Sequence, residues 1–582
     1  MSYLVNDPAA FADESADGFV AANPALVRRV PGGVARATRT PRGRVAVVIG
    51  GGSGHYPAFA GLVGAGLADG AAMGHVFASP SAQQVYSVAS SVANGGGVLL
   101  SYGNYAGDVL NFDQAQARLI EEGVPCRSVP VTDDIVSASD DERGKRRGIA
   151  GDLVVFKCAA WAADQGRDLD GVVAFAQHAN ERTRTLGVAF SGTTLPGAEE
   201  PLFTVPPGRM AVGMGIHGEP GIDDLPLPTA NDLAQLFVER LLAERPVDVR
   251  DPSGARVGVI LNGLGSVKSE ELFVVYARVA RLLAEAGVTI VDPEVGEFAT
   301  SFEMAGVSLT LVWLDDELEQ AWTAPAYTAG YRKGQVDRPA TTEAAPEPGS
   351  EAVAAQPALP AAEEESKAVA HVAAAAIRAI KSAVDGHVDE LGRLDAIAGD
   401  GDHGIGMQRG ATAAAATAED LVRAGAGAGT VLTRAGDAWA DRGGGTSGVL
   451  WGAALRAVGT SIGDRDRPTA GAVAGAIADA LDAVTRIGKA QLGDKTMVDA
   501  LEPFTLSLGR RVEDGERLAD AWRGAAQDAT EAAAATKDLP PKLGRARAHL
   551  ERSLGSPDPG AVSLALALTA VGEVLTTEGE GS

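Results

Sequence analysis

Residues 334–367 read GQVDRPATTEAAPEPGSEAVAAQPALPAAEEESK, a run of Pro, Ala and Glu with no aromatic residue and no sustained apolar period. Such a segment cannot bury enough apolar surface to offset the entropy lost on ordering. It is therefore read as an extended acidic linker. A chain of 582 residues is also too long for a single hydrophobic core. The expected organisation is a first folding region over 1–333, the linker, and a second region over 368–582.

The two regions differ in pattern. In the first, compact apolar runs at 45–49 (VAVVI), 98–101, 129–131, 210–214, 257–261 and 307–314 alternate with helix-like stretches such as 81–94, 230–245 and 270–286. Strand–turn–helix alternation predicts an α/β domain, here with two α/β subdomains divided near residue 250. In the second, the long Ala-rich stretches 366–392, 411–424, 470–485 and 519–535 are broken by Gly-rich turns. That region is expected to be all-α.

A formal net charge of −26 argues against nucleic acid or an anionic membrane surface as partner, since both require a basic face. The only cysteines are Cys126 and Cys158, so no disulfide framework and no Cys-based zinc site is expected, consistent with a reducing cytoplasm. The opening residues MSYLVNDPAAFADESADGF lack the basic and apolar regions of a signal peptide. No apolar run is expected to reach the roughly 20 residues that span a bilayer.

Two constellations carry chemistry. The first begins where the run 45–49 enters GGGSGHYP. These glycines do not form G-x-G-x-x-G or a Walker A loop. They allow backbone N–H groups of Gly52, Ser53 and Gly54 to approach a small polar ligand, with His55 at its edge. NYAGDVLNF (104–112) adds Asp108 after Gly103, and GMGIHGEPG (213–221) adds His217 between glycines. All three segments follow apolar strands, and ligands of α/β sheets bind at the carboxyl ends of strands. Two His and one Asp suit acid/base and nucleophilic work, or equally a divalent metal; spacing does not choose between them.

The second constellation is LDAIAGDGDHGIG (394–406), which puts Asp395, Asp400 and Asp402 within eight residues. Carboxylates so close repel one another unless a cation intervenes, and hard oxygen ligands favour Mg²⁺. Downstream, RGGGTSG (442–448) offers N–H groups and the hydroxyls of Thr446 and Ser447 to phosphate oxygens. Together the two segments suggest Mg-nucleotide binding without a Walker motif.

With these motifs assembled, the chain resembles the single-chain ATP-dependent dihydroxyacetone kinases, in which a sugar-binding domain is fused to a nucleotide-binding one. The resemblance runs through GGGSGH (50–55), VFASPS (76–81), NYAGDVLNF, GIHGEPG (215–221) and GEFATSFEMAG (296–306). It continues through LDAIAGDGDHG (394–404), GGTSG (444–448), GDKTMVDAL (493–501), GRA (544–546) and DPGA (558–561). It implies that His217 forms a covalent hemiaminal with the carbonyl of a short ketose, and that His55 and Asp108 act as acid/base groups. It implies that Asp395, Asp400 and Asp402 hold two Mg²⁺ ions. The nucleotide would be lined by Asp402, His403, Gly404, Ile405, Thr446, Ser447, Gly488, Thr496, Met497, Arg545, Asp558, Pro559 and Gly560. A C-terminal helical barrel and a homodimer are further implications.

Two positions depart from the family pattern. Tyr56 stands where Glu usually follows the first histidine, and Gly103 where Lys commonly precedes Asn-Tyr. Loss of the long Lys enlarges the expected sugar pocket, which predicts a four-carbon ketose such as erythrulose over dihydroxyacetone. Near Arg545 the continuation RAHLERS also departs, at the expected nucleotide lid. The competing readings are a phosphoprotein-dependent kinase, disfavoured by the fusion, a catalytically inactive ketose-sensing regulator, and a flavin-nucleotide cyclase side activity.

Overall fold

The computed structural model describes residues 4–219, 221–334, 359–397, 399, 401–543 and 550–579. The chain forms two compact units, residues 1–350 and 351–582. Most of the segment read as a linker lies outside the described residues; its last residues already belong to the helix Glu364–Asp385.

The first unit is α/β, with two main sheets. One runs in the order Val27–Val30, Gly33–Arg36, Gly70–Val76, Ala46–Ser53, Val98–Gly103, Cys126–Val131. Ala46–Ser53 is parallel to both its neighbours. A strand so placed is covered on both faces and must be apolar on both, and Val45, Ala46, Val47, Val48 and Ile49 are all fully buried. Its Gly-rich end is dictated by crowding, since a Cβ on Gly51 would fall 2.3 Å from the Phe59 ring.

The second sheet runs Asp223–Pro226, Arg209–Val212, Thr183–Ala189, Gly306–Leu314, Arg256–Gly263, Thr289–Ile290, with Glu294–Gly296 also paired to Arg256–Gly263. The change of sheet therefore comes with Thr183–Ala189, well before the division expected near residue 250. That strand is disguised by its polar residues. Thr185 Oγ bonds Thr310 Oγ at 2.8 Å, and the buried Arg184 guanidinium donates to the carbonyls of Glu181, Thr183 and Glu244. A small third sheet joins Arg332–Lys333, Ala326–Thr328 and Gly64–Ala65.

The second unit is helical. Glu364–Asp385, His403–Arg423, Ala428–Gly443, Gly445–Ile462, Ala470–Gly488, Val498–Glu513, Leu518–Ala535 and Pro559–Gly579 pack each against the next, and the last returns to the first. The ring closes as a helical barrel. Its abundance of Ala and Gly reflects close approach: a Cβ on Gly410 would fall 2.5 Å from the Trp439 ring, which stacks on Trp451 at 4.9 Å. One described helix is long and apolar enough by composition to cross a membrane, over Pro559–Thr576 with mean hydropathy 1.5. Here it is a core helix of the ring, burying Ala561, Leu564, Ala565, Ala567 and Leu568.

Candidate active site

In the first unit, loops at the carboxyl ends of both sheets bring His55 and His217 together. His55 follows Ser53, where the strand ends, and its Nδ1 lies 2.7 Å from the Thr300 carbonyl oxygen. A carbonyl only accepts, so Nδ1 carries the proton and Nε2 presents a lone pair. His55 Nε2 stands 2.9 Å from His217 Nε2, and His217 Nδ1 stands 2.9 Å from Glu219 Oε1. The proton between the two Nε2 atoms therefore belongs to His217. A carboxylate also only accepts, so His217 donates from both nitrogens, as an imidazolium held by Glu219. Burial, and then the adjacent His217 ring, push His55 down to about 3, so it remains neutral.

The surroundings fix this pair. His55 stacks on Phe77 with ring centroids 4.9 Å apart, and Tyr105 stands edge-on to His217 at 4.6 Å. Arg147 lies 3.7 Å from Glu219 and pairs with the buried Asp134 at 2.8 Å. Glu219 can fold back under His217 only because residue 215 is glycine: a Cβ there would fall 2.2 Å from Glu219 Oε2.

Asp108 is buried in the first turn of helix Ala106–Glu121, where a negative charge is favoured by the helix N-terminus. Gly103 closes the strand Val98–Gly103, immediately before Asn104 and Tyr105. Of the glycine-loop residues expected to touch ligand, Ser53 is engaged within the fold, its hydroxyl donating to Gly74 O at 2.6 Å. Gly52 and Gly54 press against Phe77.

In the second unit, four helix N-termini meet at one end of the barrel. His403 opens one helix, and its Nε2 lies 2.9 Å from Ser563 Oγ in the helix Pro559–Gly579. Its Nδ1 lies 3.3 Å from Ser447 Oγ, in the first turn of Gly445–Ile462. A Cβ on Gly560 would lie 3.6 Å from Met497, which precedes Val498–Glu513. Helix N-termini carry partial positive charge and unsatisfied N–H groups, which together favour phosphate.

Carboxylates crowd the same place. Burial, and then the charge of Asp395, push Asp402 up to about 7. Asp558 is also raised to about 7, by burial and then by Asp395 and Asp499, against the N–H that Ala561 donates to it. Among the described residues no three His, Cys, Asp or Glu form a metal-sized group, and Asp400 lies outside them. The donor set nonetheless suits Mg²⁺, which takes few carboxylates and completes its shell with phosphates and water. Of the expected nucleotide-lining residues, Asp402, His403, Ser447, Met497, Asp558 and Gly560 are connected by these contacts and charges. Gly404 packs on the Val388 carbonyl and Gly488 on Leu450, while Ile405 is 42% exposed. Thr446, Thr496 and Pro559 stand at or beside three of the N-termini. Arg545 lies outside the described residues.

The Dak1 domain model matches residues 17–330 and the DAK2 domain model residues 397–573. The chain belongs to the single-chain dihydroxyacetone kinase family. Within this kinase family it is 59% identical to an L-erythrulose kinase of Pectobacterium atrosepticum over 99% of this chain and 97% of that one. It is 53% identical to a D-erythrulose kinase of Mycolicibacterium smegmatis, with both chains covered in full. Among solved structures, it resembles the dihydroxyacetone kinase of C. freundii in complex with AMP-PNP and Mg²⁺. That match has a TM-score of 0.52 and 28% identity, and covers 98% of this chain and 99% of that one.

Sequence reasoning missed Glu219, Tyr105, Thr300 and Phe77 as site residues, although each lies inside a motif quoted above. Arg147 gave no signal. It sits in the run KRRG (145–148), which reads as a solvated charged turn.

Proposed function

We propose that this ketose kinase transfers the γ-phosphoryl group of Mg-ATP to a terminal hydroxyl of a four-carbon ketose, erythrulose, held as a hemiaminal on His217. The carrying observation is the pairing of His217 Nδ1 with Glu219, which leaves Nε2 as the atom available to a carbonyl carbon. Attack by Nε2 forms the N–C bond as its proton passes to His55 Nε2, 2.9 Å away. An imidazole with a pKa near 3 is a strong acid once protonated, so it hands that proton on to the carbonyl oxygen as the C=O π bond opens. With His55 so engaged, Asp108 is the group left to accept the proton of the attacking hydroxyl.

In the second unit, Asp395 and Asp402, with Asp400, would hold Mg²⁺, whose charge offsets that on the transferring phosphates. His403, Ser447 and the N-terminal turns of the helices orient the nucleotide. The preference for a four-carbon ketose rests on Gly103 and is supported by the erythrulose kinases at 53–59% identity. The active species is proposed to be a cytoplasmic homodimer.

Carbon-13 NMR of a ketose labelled at the carbonyl carbon tests the covalent step. With the parent protein the bound carbon is expected to move from a ketone to a tetrahedral signal, and with His217→Ala to remain a ketone. A ketone signal in the parent refutes the hemiaminal.

A further inference from the structure

Asp152 has no part in the chemistry above, yet it lies beside it. It is the second residue of helix Gly151–Asp164 and is 2% exposed. Its Oδ1 is buried with no hydrogen-bond partner among the described residues. Asp133, close by, accepts instead from the N–H groups of Ile149 and Gly151, both at 2.9 Å. A buried polar oxygen left unmatched carries a desolvation cost that a ligand hydroxyl would relieve.

The space around this carboxyl is shaped by two glycines. A Cβ on Gly148 would fall 2.7 Å from Oδ1 and 2.6 Å from the Cα of Gly103. A Cβ on Gly103 would fall 3.5 Å from Oδ2 and 3.1 Å from the Tyr105 ring. Bare backbone therefore borders the carboxyl on two sides. The neighbouring wall is Tyr105, whose hydroxyl donates to Gly148 O at 2.9 Å and whose ring stands 4.6 Å from that of His217.

We propose that Asp152, Gly103 and Gly148 form a hydroxyl subsite that receives the carbinol by which a four-carbon ketose exceeds a three-carbon one. Burial, and then the charges of Asp133 and Asp108, raise the Asp152 carboxyl well above its usual range and so favour its protonated form. A neutral acid offers one O–H donor and one carbonyl acceptor, the complement of an alcohol. Dihydroxyacetone anchored on His217 carries no further carbinol to meet it. Asp152 is thus a specificity residue, and the inference rests on the reading of the chain as a kinase of short ketoses.

The test compares kcat/KM for erythrulose and dihydroxyacetone, at saturating Mg-ATP, in the parent, Asp152→Ala, Asp152→Asn and Gly103→Ala. Asp152→Ala is expected to lower the erythrulose-to-dihydroxyacetone ratio by about tenfold, the worth of one buried hydrogen bond, mainly through the KM for erythrulose. Asp152→Asn, which keeps a donor and an acceptor, is expected to stay within about threefold of the parent. Gly103→Ala, which sets a methyl 3.5 Å from Oδ2 while leaving the carboxyl itself in place, should shift the ratio toward dihydroxyacetone. It decides the matter if Asp152→Ala does not fold. A ratio unmoved in both alanine variants overturns the subsite while leaving the kinase reading intact. A parent that phosphorylates neither ketose overturns the kinase reading and the subsite with it.

Discussion

His217 sits between two acceptors, the neutral Nε2 of His55 and the carboxylate of Glu219. In the proposed hemiaminal, this chain of partners would set which nitrogen meets the substrate and when it sheds its proton. Glu219→Gln keeps an oxygen near Nδ1 but removes the charge that holds the imidazolium. Hydrogen bonds to charged groups contribute about 1.5–3 kcal/mol, so kcat/KM for the ketose should fall roughly ten- to a hundredfold, with the KM for ATP unchanged. Equal losses toward both substrates would mean that Glu219 supports the fold rather than His217. Arg147 and Asp134 continue the chain one step further, holding Glu219 from behind.

At the scale of elements, glycines decide where backbone and side chains pass one another. Gly215→Ala would drive a methyl into Glu219 Oε2, so it should reproduce the fall in ketose kcat/KM expected of the Glu219 variant with His55 and His217 themselves unchanged. An unchanged ketose kcat/KM in that variant would contradict the folded-back position of Glu219. The same scale explains what the sequence disclosed. The run 45–49 reads as a strand because a central parallel strand must be apolar on both faces. Thr183–Ala189 is equally central but carries no apolar strand signal, because its threonines and Arg184 find hydrogen-bond partners inside the fold. Periodicity reports solvent exposure, and a buried polar residue with partners breaks that link. The barrel helices were legible from their Ala-rich composition. The meeting of four N-termini around His403 was not, since no local pattern records which helix ends face one another.

At the scale of the whole molecule, the proposed sugar site belongs to one unit and the proposed phosphate-binding end to the other. Asp402 and Asp558 carry folded pKa values near 7 against an ordinary 3.8. Between those values the folded second unit binds more protons than the unfolded chain, so its stability falls as pH rises from about 4 to 7. Mg²⁺ with nucleotide, bound there as proposed, would remove that penalty where the carboxylates are ionised. The gain in Tm from Mg-AMP-PNP should therefore be larger at pH 8 than at pH 5, and a gain independent of pH would contradict the crowded carboxylates as its source. The proposed reaction is phosphorylation of a terminal hydroxyl of a four-carbon ketose anchored through its carbonyl. It is tested most directly by coupled ADP release with Mg-ATP and D-erythrulose, L-erythrulose, dihydroxyacetone or glycerol. One erythrulose enantiomer is expected to lead by kcat/KM, with dihydroxyacetone behind and glycerol inert; turnover of glycerol at a rate comparable to the ketoses would contradict it.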